Sequence, residues 1–218
     1  MRILIYGDSN SWGYLDDGSG ARHPARWPVV MAGDLASRGT EVEVIEECLP
    51  GRTSNVDDPQ EGAVFNGATP LAAMLLSHQP IDRILIMLGT NDMKARFRRD
   101  AAAIAGGIMT LVDICAATPC GQGGWGAGAG APVTVICPPM LGARADDPAW
   151  ERYAEWRGGR ATSQALPDVL AAACAAAGSG FIDGNNHAAS SDRDPIHWTD
   201  DMHRTFGTAM AGRIKAEL

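Results

Sequence analysis

A serine hydroxyl becomes a useful nucleophile only when a base removes its proton. This chain places Ser9 in Gly7-Asp8-Ser9-Asn10, directly after the apolar run Met1-Arg2-Ile3-Leu4-Ile5-Tyr6. A serine between small and acidic neighbours after a buried strand suggests a strand-to-helix turn that aims its hydroxyl outward. Near the other end, His197 closes Asp194-Pro195-Ile196-His197. Of the five histidines it alone has a carboxylate three residues earlier in a Pro-containing turn, so Asp194 can reach back to one imidazole nitrogen. Between them, Gly89-Thr90-Asn91-Asp92 follows a second apolar run. Serine, imidazole and carboxylate are the parts of nucleophilic acyl transfer. Duller readings stand beside this one. Ser9 also suits a helix N-cap, Asn91 a turn that satisfies its own backbone, Asp192 and Asp200 compete for the acid role, and His203 competes as base.

These residues must be brought to one place. Four apolar runs read as parallel strands with both faces covered: Ile3–Tyr6, Val42–Glu46, Ile84–Leu88 and Val133–Cys137, with Phe181–Asp183 a fifth. Helical patterns fall between them at Trp27–Ser37, Thr69–Leu76, Asp100–Ala116, Ser163–Ala177 and Asp200–Glu217. Pro28 suits an early helical position and Gly178 a helix end. Alternating strands and helices imply an α/β fold, a three-layer α/β/α sandwich around a central parallel sheet of flavodoxin-like type. Ligand crevices in such sheets lie at the carboxyl ends of strands. Gly7–Asn10, Pro50–Arg52, Gly89–Asp92 and Pro138–Met140 all follow strands, so they converge on one edge. Asp16–Arg26 reads as an insertion, Gly121–Ala131 as a flexible surface loop, and Asp146–Arg160, with Trp150, Tyr153 and Trp156, as an amphipathic lid or interface helix.

At 218 residues the chain fits one domain over 1–218. A net charge of −8 argues against nucleic acid or an anionic membrane as partner. No apolar stretch reaches the ~20 residues of a membrane helix, and no signal peptide opens the chain, so a cytoplasmic protein is expected. The five cysteines, at 48, 115, 120, 137 and 174, are odd in number and form no CxxC pair, which reads as buried free thiols rather than disulfides or metal ligands.

Taken together the motifs resemble the SGNH (GDSL-type) hydrolase family. That family carries a block around Gly-Asp-Ser, a block with a key glycine, a Gly-x-Asn-Asp block and an Asp-x-x-His block. All four can be placed here in order, the second at Gly51 in Leu49-Pro50-Gly51-Arg52-Thr53, so the resemblance spans the chain. Tyr6–Gly13, Val44–Glu47, Asn55–Pro59 and Ile86–Lys94 are similar to the arylesterase and acyltransferase branch. Asn10 departs from the pattern, standing where many relatives carry leucine, which bears on the shape of the acyl pocket.

The resemblance implies a serine esterase for short-chain acyl or aryl esters, working through an acyl-enzyme that water or an alcohol resolves. Ser9 would be the nucleophile, His197 the base and Asp194 its orienter. The Ser9 N–H, the Gly51 N–H and the Asn91 amide would hold the oxyanion. Asp8, Asn10, Trp12, Lys94 and Ile196 are expected around the substrate. Asp8 can instead brace its loop, Lys94 can point to solvent, Trp12 and Tyr14 can pack in the core, and Met140 with Pro138-Pro139 can form another wall. No metal or organic cofactor is implied. The partner is a small ester, and the branch implies a homo-oligomer built from dimers, up to an octamer. An acetylated sugar is the alternative substrate. A non-catalytic module cradling an anion at Gly7–Asn10 is the alternative of a different class.

Overall fold

A computed structural model describes residues 1–216. Its core is a five-stranded parallel sheet in the order β2-β1-β3-β4-β5. The strands are β1 (Arg2–Gly7), β2 (Glu43–Cys48), β3 (Arg83–Met87), β4 (Val133–Cys137) and β5 (Gly180–Asp183). The helices are α1 (Ser9–Trp12), α2 (Trp27–Ser37), α3 (Ala68–His78), α4 (Ala101–Ala117), α5 (Tyr153–Trp156), α6 (Gly159–Ala177) and α7 (Asp200–Ala216).

Side chains alternate across a strand, and each central strand accordingly feeds two cores. Leu4, Tyr6, Ile84, Ile86, Val135 and Cys137 join the core under α3, α4 and α6. Ile3, Ile5, Leu85, Met87 and Ile136 join the core under α2 and α7. This is the three-layer sandwich expected from the apolar runs.

The boundaries differ in instructive ways. β2 runs Glu43–Cys48 rather than Val42–Glu46, and it is an edge strand with one side of its backbone unpaired in the sheet. Its glutamates are compatible with that position, because an edge leaves them room to reach solvent and cations. α6 begins at Gly159 rather than Ser163. Ser163 does not cap it: the buried hydroxyl donates to Arg160 O at 2.7 Å and accepts from Leu141 N at 3.0 Å. Asp100 does cap α4, accepting from Ala103 N at 2.8 Å. The segment Asp146–Arg160, expected as an amphipathic lid or interface helix, runs from the end of a 3₁₀ turn at Ala143–Asp146 through the short α5 into the first turn of α6. Glu217, expected to end the last helix, lies outside the described residues. The glycine-rich stretch carries neither helix nor strand and leaves Trp125 78% exposed. All five cysteines are free, four of them buried and Cys48 half-buried. Among the described residues no helix is long and apolar enough to cross a membrane.

Candidate active site

Ser9 sits in the first turn of α1, immediately beyond β1. Asp8 caps that turn, its Oδ1 accepting from Asn10 N at 3.0 Å. The turn packs so tightly on the sheet that a Cβ on Gly7 would lie 2.4 Å from Ser11 Oγ, which explains the glycine. The hydroxyl of Ser9 is 3.1 Å from His197 Nε2, and His197 Nδ1 is 2.6 Å from Asp194 Oδ2. The loop before α7 therefore brings its histidine across a separation of 188 residues to the Ser9 turn.

That loop is built around Asp194. Its Oδ1 accepts from Ile196 N at 2.9 Å and from His197 N at 3.4 Å, an Asx-type turn that swings the imidazole back over the carboxylate. Ser191 Oγ in turn accepts from Asp194 N at 2.9 Å. Burial pushes the Asp194 carboxyl up, but the bond from His197, the histidine's charge and the two backbone N–H groups outweigh it and hold the group below the usual carboxylate range. Tyr14 packs on the imidazole, ring centroids 4.5 Å apart.

The rivals for these positions are placed elsewhere. His203 is fully buried against Trp198, its Nε2 facing Tyr14 O at 3.5 Å, and burial pushes it down to about 4. Asp200 pairs with His23, Oδ1 to Nε2 at 2.7 Å. Asp192 is exposed and makes no bond to His197.

Two further loops close on Ser9 from β2 and β3. Gly51 adopts a φ of +89°, and a Cβ there would sit 3.1 Å from the Phe65 ring. Asn91 is buried, and its Nδ2 donates one hydrogen to Arg52 O at 3.1 Å, leaving the other. Among the described residues no protein acceptor takes the N–H of Ser9 or of Gly51. Asp92 ties these two loops together: its Oδ2 accepts from Ser54 N at 2.8 Å, and its Oδ1 accepts from the Ser54 hydroxyl and from Arg99 Nη1 at 3.0 Å. Burial raises the Asp92 carboxyl despite those donors.

Together these groups border a cavity of about 190 Å³ lined by Ser9, Gly51, Asn91, Lys94, Ile196 and His197, with Tyr14, Pro50, Arg152 and Trp156 completing its wall. A larger cavity of about 560 Å³ opens at the amino ends of β3, β4 and β5 and is lined by none of these site residues.

Of the five residues expected around substrate, the cavity includes Lys94 and Ile196 but not the other three. Asp8 is buried beneath the serine turn; desolvation raises its carboxyl to about 6, offset only in part by the Asn10 N–H and by His197. Asn10 is buried too, and its Nδ2 donates to Ile196 O at 3.1 Å. It braces the Ser9 turn against the histidine loop, a bond leucine could not make. Trp12 turns away and receives Arg22 over its ring at 5.5 Å. Met140 is 40% exposed and its backbone N–H is held by Asn185 Oδ1 at 2.7 Å, outside the cavity. Arg152 was missed from sequence; only the aromatic-rich context of Trp150 to Trp156 hinted at it. No group of three or more metal-binding side chains occurs among the described residues.

Comparison with known proteins places the whole chain in a family. The GDSL-like lipase/acylhydrolase family model matches residues 5–205. An aryl esterase from M. smegmatis is 35% identical, with a TM-score of 0.89 over 100% of this chain and 99% of its own. A carbohydrate acetylesterase from Sinorhizobium meliloti is 30% identical, with a TM-score of 0.88 over 100% and 99%. A lipase/acylhydrolase from Enterococcus faecalis, at 21% identity and a TM-score of 0.68 over 100% and 96%, shares the fold. No curated protein sequence matches. With a model that spans most of its length and solved relatives that cover all of it, the chain belongs to the GDSL-like lipase/acylhydrolase family.

Proposed function

We propose that the protein is a serine esterase that cleaves short-chain acyl and aryl esters through an acyl-enzyme. The observation that carries this reading is the unbroken relay from Asp194 through His197 to Ser9, at 2.6 and 3.1 Å. Ser9 Oγ attacks the ester carbonyl as His197 Nε2 takes its proton. The resulting oxyanion is received by the N–H groups of Ser9 and Gly51 and by the uncommitted hydrogen of Asn91 Nδ2, donors of a kind worth ~10²–10³ in rate each. His197 then returns the proton to the leaving alcohol, and the carbonyl re-forms as the acyl-enzyme. Asp194 keeps Nδ1 protonated and stabilises the imidazolium. Water, activated by the same histidine, releases the acid. An alcohol in place of water would give acyl transfer by the same steps.

A cavity of about 190 Å³ supports small acyl groups. A carbohydrate acetate is supported as a second reading by a polar groove on the far side of His197, bordered by Asp16, Asp17, Arg144 and Arg193, which offers donors and acceptors to a hydroxylated alcohol. The oligomer of dimers implied by the arylesterase branch belongs with this reading, as does a cytoplasmic setting.

The test is hydrolysis of p-nitrophenyl esters from two to eight carbons by the native protein and Ser9→Ala. Loss of at least ~10⁴ in kcat for Ser9→Ala, with native rates falling as the chain lengthens, is expected. Equal rates in both proteins would overturn the assignment of Ser9.

A further inference from the structure

Part of the cavity wall is cationic in a protein whose net charge is −8. Lys94 and Arg152 both line it. Lys94 is unusual: its side chain is 8% exposed, yet among the described residues Nζ donates no hydrogen bond, and its ion-pair partner Glu155 Oε1 stands 3.6 Å away. The same carboxylate accepts from Arg152 Nε at 3.0 Å through Oε2 and from Arg96 Nη1 at 3.4 Å through Oε1. Arg96 has its own buried counter-ion, Asp58 Oδ2 at 2.6 Å. Lys94 and Arg152 are thus left to share one carboxylate, and the wall carries one positive charge in excess. Trp156 lies within cation–π distance of both cations, 5.7 Å from Lys94 Nζ and 5.6 Å from the Arg152 guanidinium, a face that takes none of their N–H donors as an acceptor oxygen would.

A largely buried ammonium whose counter-ion among the described residues stands at 3.6 Å, beyond hydrogen-bond reach, is costly unless something completes it. Burial, followed by the charge of Arg96, pulls Lys94 below the usual lysine range even against Glu155, as expected for a cation short of counter-charge. One excess positive charge matches a monoanion, and the small cavity fits a carboxylate.

We infer that Lys94, with Arg152 as a second cation, binds a carboxylate carried by the substrate, so that the preferred esters are those bearing a free acid group beside the scissile ester. The inference rests on the serine-esterase reading and adds to it the chemical class of the substrate.

The experiment compares kcat/KM for two matched pairs: monoethyl succinate against diethyl succinate, with the acid on the acyl side, and 4-acetoxybenzoate against its methyl ester, with the acid on the alcohol side. Each preference is measured in the native protein, Lys94→Met and Lys94→Arg. Because the preference is compared between variants, intrinsic reactivity cancels. Lys94→Met is expected to lower the preference for the acid about tenfold or more in at least one pair, and Lys94→Arg to retain most of it. Preferences unchanged in both pairs would overturn the carboxylate site. Should thermal melting show that Lys94→Met does not fold, Arg152→Met carries the same measurement with the same two outcomes. Ser9→Ala, run alongside, keeps the two levels apart: undiminished hydrolysis there would overturn the esterase reading itself, whereas its loss with unchanged preferences in Lys94→Met would overturn only the carboxylate site.

Discussion

Two aspartates stand within three residues of the groups that would exchange a proton, and the fold treats them in opposite ways. Asp194, in the histidine loop, gathers bonds from the His197 ring and from two backbone N–H groups, and it is held below the usual carboxylate range. Asp8, under the nucleophile turn, is more deeply buried, has the Asn10 N–H on Oδ1 and leaves Oδ2 without a partner, and it rises to about 6. Burial is the largest influence on both. What separates them is the number of donors set against it. One carboxylate is held low where the proposed mechanism forms a cation; the other is raised toward neutral pH where it only shapes a turn.

The sharpest way to break this contrast is Asp194→Asn. An amide there cannot hold the imidazole in the required tautomer, and kcat for p-nitrophenyl acetate is expected to fall by about 10⁴. The histidine loop would still close through Oδ1-type acceptance, so a circular dichroism melt near that of the native protein should accompany the loss. A fall of less than tenfold would mean that Asp194 braces the loop and does nothing for the proton.

Asp8→Asn probes the other side. A carboxyl raised from its ordinary value to about 6 favours the folded state at low pH, and that contribution is lost as pH climbs through about 6. The cost of the ionised form at pH 8 is about 3 kcal/mol. Asparagine keeps a capping oxygen and carries no charge. The variant is therefore expected to melt higher than the native protein at pH 8, by at most ~6–12 °C, with the gain shrinking to nothing near pH 4. A gain independent of pH, or a lower melting temperature at pH 8, would show that ionised Asp8 is not a burden to the fold.

The contrast also marks what could be read from the chain alone. The strands were legible because both faces of Ile3–Tyr6 and Ile84–Met87 are covered, and the run is apolar without alternation. Ser9, Asn91 and the Asp194–His197 pair were legible because each belongs to a short segment at a strand end or in a tight turn. Roles fixed by distant partners were not. Asn10 pairs with Ile196 across 186 positions, so its bracing role has no local signature. Lys94 depends on Glu155 and Trp156, which only the fold of the segment after β4 brings alongside. Trp12 looked like a pocket wall because it follows the nucleophile closely, but one turn of α1 rotates it to the other side, against Arg22. The helix expected from Ser163 starts four residues earlier, at Gly159, and Ser163 lies buried inside it.

The central claim is that Ser9 is activated by His197. It is tested most directly by labelling the protein with a fluorophosphonate and locating the adduct by peptide mass spectrometry. One adduct per chain, on Ser9, absent from Ser9→Ala and formed far more slowly in His197→Ala, is the expected result. A protein that stays unlabelled, or one labelled on another residue at the same rate in all three forms, would contradict it.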